Sequence, residues 1–290
     1  MNTPSLKDRL AAGKLIVAPG IFDFISLKLA ERAGFDCLYM TGYGTVASYL
    51  GLPDAGLATY TDMLNRVTGF CGATRLPVIC DGDTGYGGLL NVAHAVDGYI
   101  RAGAAAIQIE DQEFPKKCGH TRDRRVIPAA DMVTKIRVAC EARGDRQDFL
   151  IIARTDARSA LGLDEALRRG EQYAAAGADL LFIESPESRA ELETIARRFA
   201  LPLIVNVVEG GRTPLLSHAE LEQMGFAVAI YPTLGFLAMG KALEQAYAGL
   251  KARGDTLDQT DALMDFSAFS RLIGFERVWD FEQRWRQGKL

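Results

Sequence analysis

Short apolar runs recur along the whole chain, and longer stretches with helical periodicity separate them. The runs Leu15–Pro19, Cys37–Thr41, Pro77–Asp81, Ala105–Glu110, Phe149–Arg154, Leu180–Glu184, Leu203–Asn206 and Ala227–Tyr231 read as strands. They alternate little, as expected for strands of a parallel sheet covered on both faces. Helical patterns fall at about 23–32, 90–101, 130–142, 164–176 and 188–199, and after the last strand to about 248. The phrases Ala33-Gly34-Phe35, Ala102-Gly103-Ala104 and Ala176-Gly177-Ala178 place a glycine where a helix should stop before the next strand.

Strands alternating with helices imply a parallel sheet, and this many units in this length fit a closed (β/α)8 TIM barrel over residues 1–256. A doubly wound open sheet is the weaker alternative. No GxGxxG follows the first strand, and GxxxxGK[ST] is absent from the sequence. Residues 257–290 form a C-terminal helical extension. With Met264, Phe266, Phe269, Ile273, Phe275, Trp279 and Phe281 they are too apolar for a solvated tail, and should pack on the barrel or on a neighbouring subunit.

Composition narrows the class. The net charge of −4 with no basic stripe argues against nucleic acid. The absence of a signal-like apolar segment or a long apolar run argues against a membrane. The five cysteines, at 37, 71, 80, 118 and 140, are scattered and form no CxxC pair, so neither a disulfide framework nor a structural zinc is expected. A reducing cytoplasm fits this pattern. Four of these thiols fall in strands or helices and read as small hydrophobes.

The chemistry gathers at the strand ends. They carry Thr41-Gly42-Tyr43, Asp81-Gly82-Asp83, Glu110-Asp111, Arg154-Thr155-Asp156, Glu184 and Asn206. In a barrel these ends converge on one face, where active sites are built. Asp81, Asp83 and Glu110 are hard oxygen ligands suited to Mg2+, which takes one or two carboxylates directly and keeps several waters. Gly85, Gly87 and Gly88 would let the backbone approach a ligand, or simply form a turn. Arg154 has two readings: a structural pair with a carboxylate such as Glu184, or a clamp on a substrate carboxylate, which is favoured. The exposed N–H groups around Gly42 suit a second carboxylate. Cys118 lies in Lys116-Lys117-Cys118-Gly119-His120, within a long loop from about 113 to 127 that is expected to act as a lid. Two lysines and His120 beside the thiol favour thiolate.

Together these residues resemble the isocitrate lyase/phosphoenolpyruvate mutase superfamily. The resemblance runs from Ala18-Pro19-Gly20-Ile21-Phe22-Asp23 through Leu52-Pro53-Asp54, Asp81-Gly82-Asp83-Thr84-Gly85-Tyr86-Gly87, the cysteine loop and Ala153-Arg154-Thr155-Asp156-Ala157 to Asn206. It implies a barrel whose last helix is exchanged between subunits, in a homotetramer built as a dimer of such dimers. The Lys-Lys-Cys-Gly-His loop is similar to that of the carbon–carbon lyases; the mutases lack its cysteine. The implied reaction is retro-aldol cleavage of a 2-hydroxy dicarboxylate, with Mg2+ (Mn2+ as a substitute) as Lewis acid.

By the same resemblance Asp81 binds the metal directly, and Asp83, Asp54 and Glu110 act through water. Cys118 serves as general acid. Thr41, Gly42, Tyr43, Gly119, Arg154, Glu184 and Asn206 line the substrate site, with His120 beside them. The base for the 2-hydroxyl stays open between Tyr43 and an acidic residue acting through water. Members that cleave methylisocitrate carry an arginine a few residues beyond the Tyr-Pro of the last strand. Here Tyr231-Pro232 is followed by Thr233-Leu234-Gly235-Phe236-Leu237 with no cation. An unpaired third carboxylate buried there would be costly, which favours a substituted malate such as 2,3-dimethylmalate over 2-methylisocitrate. The alternatives are an oxaloacetate hydrolase or decarboxylase, a phosphonomutase, and a barrel that has lost activity and serves in binding or assembly.

Overall fold

The computed structural model describes residues 3–121 and 123–286. Its strands are β1 (Ile16–Ile21), β2 (Leu38–Met40), β3 (Val78–Asp81), β4 (Ala106–Glu110), β5 (Leu150–Thr155), β6 (Leu180–Ile183), β7 (Leu203–Asn206) and β8 (Val228–Tyr231). They follow one another around a closed barrel, and β8 pairs in parallel with β1. The helices are α1 (Leu6–Ala11), α2 (Phe24–Arg32), α3 (Gly42–Leu50), α4 (Tyr60–Ala73), α5 (Leu89–Ala102), α6 (Ala129–Arg143), α7 (Ala157–Leu161), α8 (Leu163–Ala175), α9 (Arg189–Arg198), α10 (His218–Met224), α11 (Leu234–Arg253), α12 (Phe266–Leu272) and α13 (Phe275–Arg286). The (β/α)8 barrel expected from the apolar runs is therefore present. Every strand lies within two residues of its expected bounds.

Two apolar layers hold the barrel. Outward-facing residues such as Met40, Cys80, Ile107, Ile109, Ile151, Ala153, Leu181 and Val205 pack against the helices. Inward-facing Ala18, Tyr39, Ile79, Ile152, Phe182, Ile204 and Ile230 fill the interior. Because both faces are apolar, the period of two is hidden in the sequence. Leu6, fully buried, and Leu10 belong to this inner layer, so α1 stoppers the end of the barrel where the strands begin. Its start is fixed by a capping box between Ser5 and Asp8. The stop signals also hold: Gly34, Gly103 and Gly177 all have positive φ.

The sequence reading did not place α1, α3, α4, α7 or α10. Of these, α1, α7 and α10 are short. α4 carries Gly69 and Gly72 in its last turns, which weaken its helical signal. α3 opens on Gly-Tyr-Gly, a poor helix-forming start; Thr41 rescues it by accepting the Gly44 N–H.

The C-terminal segment behaves differently. Neither α11, α12 nor α13 buries a residue, and Leu237, Tyr247, Phe266, Trp279, Phe281 and Trp285 are exposed. Of the two expected packing modes, the barrel of the same chain does not supply the first. The first turn of α11 still meets the barrel, with the Phe236 ring 6.2 Å from Phe22 and 5.2 Å from Tyr43 between centroids. Among the described residues no helix is long and apolar enough to cross a membrane.

Candidate active site

The inward faces of β3 to β7 turn polar at their carboxyl ends. Ile79 is followed two residues on by Asp81, Gln108 by Glu110, Ile152 by Arg154, Phe182 by Glu184 and Ile204 by Asn206. Since alternate residues of a strand share a face, these side chains cap the apolar interior and point up into one cavity. Tyr39 and Gln108, joined by a 3.2 Å hydrogen bond, form the polar layer between. The cavity is lined by Thr41, Tyr43, Asp54, Asp81, Glu110, Cys118, Gly119, His120, Arg154, Glu184 and Asn206, with Tyr39, Lys116, Lys117, Val208, Pro232 and Thr233. Two expected members lie just behind it. Gly42 has no room for a side chain, because a Cβ there would overlap the Asp81 carboxylate. Asp83 faces a neighbouring cavity.

One side of the cavity is acidic and short of cations. Lys116 is buried, and its Nζ lies 2.5 Å from both Asp54 Oδ1 and Asp83 Oδ1. Burial raises the Asp83 carboxyl to about 7, with Asp81 and Asp54 adding to the rise and Lys116 opposing it. Glu110 is pushed well above the usual carboxylate range, by burial first and with Arg154 opposing. Its Oε1 is buried without a hydrogen-bond partner. A buried, unsatisfied carboxylate oxygen beside further acids is a donor set that a hard cation would complete. Among the described residues no three metal-ligating side chains converge on one point. The residues fit magnesium.

The opposite side is charge-matched. The Arg154 fork meets Asp156 at 2.9 Å through both Nε and Nη2, and its Nη groups lie 3.3 Å from Glu110 and Glu184. The guanidinium rests over the Phe182 ring, 5.1 Å from its centroid. Burial alone would raise Asp156, but Arg154 and Arg124 outweigh it and hold the carboxyl below its ordinary value. The sequence reading quoted Asp156 and gave it no role, and it did not single out Arg124. Asp156 also donates its backbone N–H to Asp111, which Thr155, Tyr173 and Arg169 hold in turn. Both readings of Arg154 are thus partly met. It is structurally paired, chiefly to Asp156 rather than Glu184, and it still lines the cavity.

The cysteine loop is seated over the opening. The Ser185 hydroxyl donates to the Gly119 carbonyl at 2.8 Å. His120 accepts the Arg212 N–H on Nδ1, which places its proton on Nε2, facing Glu184 at 3.5 Å. Burial pushes this imidazole down, toward the neutral form. Cys118, half-buried, has its thiol pushed up to about 11 by burial, against the pull of a His120 backbone hydrogen bond and of Arg154.

This overturns the thiolate expected from neighbouring charges. Lys116 turns away to Asp54 and Asp83, Lys117 is exposed, and His120 is near-neutral. Adjacency in sequence did not mean adjacency of charge. The glycines after Asp83 also take the plainer of their two roles. Gly85 and Gly87 have positive φ and Gly88 caps α5, and none of them lines the cavity.

A barrel with a magnesium-type acid cluster, a buried arginine and a protonated cysteine loop at its carboxyl face defines a class of enzyme, and the comparisons agree. Residues 6–251 match the family model for phosphoenolpyruvate phosphomutase, and the chain belongs to that family. It is 44% identical over 290 residues, all of both chains, to the 2,3-dimethylmalate lyase of Eubacterium barkeri. Among solved structures it superposes with TM-score 0.90 on a 2,3-dimethylmalate lyase described as a PEP mutase/isocitrate lyase superfamily member (36% identity, covering 96% of this chain and 93% of that one). It superposes with TM-score 0.92 on an oxaloacetate acetylhydrolase bound to 3,3-difluorooxalacetate (33% identity, 97% and 96% covered). A phosphonopyruvate hydrolase of the same fold was solved with oxalate and Mg++ (TM-score 0.87, 31% identity, 96% and 97% covered).

Proposed function

We propose that the protein is a carbon–carbon lyase that cleaves a substituted malate to a 2-oxo acid and a simple carboxylate. The observation that carries this reading is the half-buried thiol of Cys118 set in the same cavity as Asp54, Asp81, Glu110 and Arg154. The likeness to a dimethylmalate lyase over the full chain supports it.

Asp81, with Asp54, Asp83 and Glu110 through water, would hold Mg2+, which supplies Lewis-acid polarisation of the substrate's 2-hydroxyl and adjoining carboxylate. One substrate carboxylate sits at the start of α3, where the first helical N–H groups lack intrahelical partners. Arg154 offers its remaining Nη hydrogens to it, and Asp156 keeps the fork from rotating. The 2-hydroxyl loses its proton toward the acid-rich wall, the C2–C3 bond breaks, and the electron pair passes to C3 and its carboxylate. The thiol of Cys118 then protonates C3. Glu184, held by Asn206 at 3.1 Å and faced by His120, fixes the floor below the departing fragment.

Pro232 and Thr233 line the cavity, and the Thr233 hydroxyl donates to Glu209 at 2.8 Å. That wall carries an acid and no cation, so a third substrate carboxylate is disfavoured there. The exposed apolar faces of α11–α13 support burial against further copies of the chain, in a helix-exchanging dimer and a homotetramer.

The test is 2-oxo acid release, with Mg2+ and then with EDTA. The panel holds 2,3-dimethylmalate, 2-ethyl-3-methylmalate, 2-methylisocitrate, isocitrate and oxaloacetate. Metal-dependent pyruvate from a substituted malate is expected. Oxalate and acetate from oxaloacetate alone would move the protein to the hydrolases.

A further inference from the structure

The loop that carries Cys118 returns to the barrel through Thr121 to Val126, and one residue of that return is anchored. Arg124 is buried, whereas its neighbour Arg125 keeps a side chain 80% exposed and paired only with Glu113. Burying a guanidinium is costly unless its charge and donors are met. Arg124 meets its charge and both Nη groups just past β5: Nη1 pairs with Asp156 Oδ1, and Nη2 donates to Ser159 Oγ of α7 at 2.5 Å, while Nε finds no partner. Asp156 Oδ1 is also the atom that receives Arg154 Nη2. One carboxylate oxygen thus holds two guanidiniums, one from the loop bearing the thiol and one from the floor of the cavity. The backbone of Asp156 is pinned from behind by Asp111, so this joint has little freedom to adjust.

We infer that Arg124 is a positioning residue that seats the Cys118 loop and, through Asp156, sets the fork of Arg154. Loop seating and arginine orientation are then one event: the thiol is delivered only when the substrate-side guanidinium is aligned. Arg124 does not line the cavity, so it acts on Arg154 through Asp156, with Ser159 holding its other Nη group.

The test compares Arg124→Gln, Arg124→Lys and Arg125→Gln with the parent protein, each with its fold checked by circular dichroism. The first readout is the rate of iodoacetamide alkylation at the Cys118 peptide, followed by mass spectrometry. It requires no substrate, so it stands even if the lyase reading fails. Arg124→Gln should raise this rate at least about ten-fold by unseating the loop. Arg124→Lys, which keeps the charge without the two-pronged reach, should fall between. Arg125→Gln should stay within two-fold of the parent. The second readout is a split of kinetic constants, with kcat falling about 100-fold in Arg124→Gln, KM changing far less, and partial rescue in Arg124→Lys. Parent-like alkylation in both Arg124 variants would overturn the inference, as would an equal rise in Arg125→Gln. Should Arg124→Gln not fold, the lysine variant alone decides by the same criteria.

Discussion

Two buried groups of carboxylates lie at the carboxyl end of this barrel, and burial has opposite outcomes in them. Around Asp81, Asp83, Asp54 and Glu110 the acids outnumber the cations: Lys116 pairs with Asp54 and Asp83, and Arg154 reaches only Glu110 among them. There burial raises Asp83 to about 7 and pushes Glu110 well above its ordinary value, with one Glu110 oxygen unpartnered. Around Asp156 two arginines serve one acid, and its carboxyl is held below the ordinary range. Desolvation penalises a charge in both places, and what differs is whether the protein itself supplies the countercharge. The first group is short of countercharge within the protein. The second is complete and acts as scaffold.

The contrast can be broken by substitution. Asp81→Ala should have the largest effect, a loss of turnover of about 10³-fold or more together with loss of magnesium dependence, read as 2-oxo acid release against Mg2+ concentration. Full metal-dependent activity would remove Asp81 from the ligand set. Cys118→Ser should lower kcat by about 10²–10⁴-fold while substrate still binds, because only proton delivery is lost. Near-parent cleavage would reject that role.

Smaller effects separate the two groups by stability. Asp156→Asn leaves two buried guanidiniums short of a countercharge and should cost about 3–5 kcal/mol in urea unfolding at pH 7. The sign with pH follows from the lowered pKa. Between the folded value and the unfolded value of 3.8 the unfolded chain binds more protons, so this contribution is complete above 3.8 and is lost as pH falls through the folded value. The gap between parent and Asp156→Asn should therefore close in acid. Asp83→Asn, in protein stripped with EDTA, should change stability by less than about 1 kcal/mol, because it removes one acid from an excess. Equal costs for the two substitutions would erase the distinction drawn here.

Much of this was legible in the sequence, and the rest was hidden for physical reasons. The strands could be read because apolar runs between helical stretches leave few other options, and the polar strand ends could be assembled because a barrel brings them together. The partner of Arg154 could not be chosen from composition, since Glu184 and Asp156 are both acids at strand ends and only the fork geometry selects Asp156. Arg124 sits in Thr121-Arg122-Asp123-Arg124-Arg125, where nothing local separates a buried arginine from a solvated one. The thiol of Cys118 was misjudged because a lysine's stem can carry its charge away from its sequence neighbour, as Lys116 does.

The most direct measurement is cleavage of 2,3-dimethylmalate in D2O with Mg2+, followed by mass spectrometry and NMR of both products. The account predicts equimolar pyruvate and propionate, the propionate carrying one deuterium at C2, with formation stopped by EDTA. Absence of pyruvate from this substrate, beside oxalate and acetate from oxaloacetate, would contradict it.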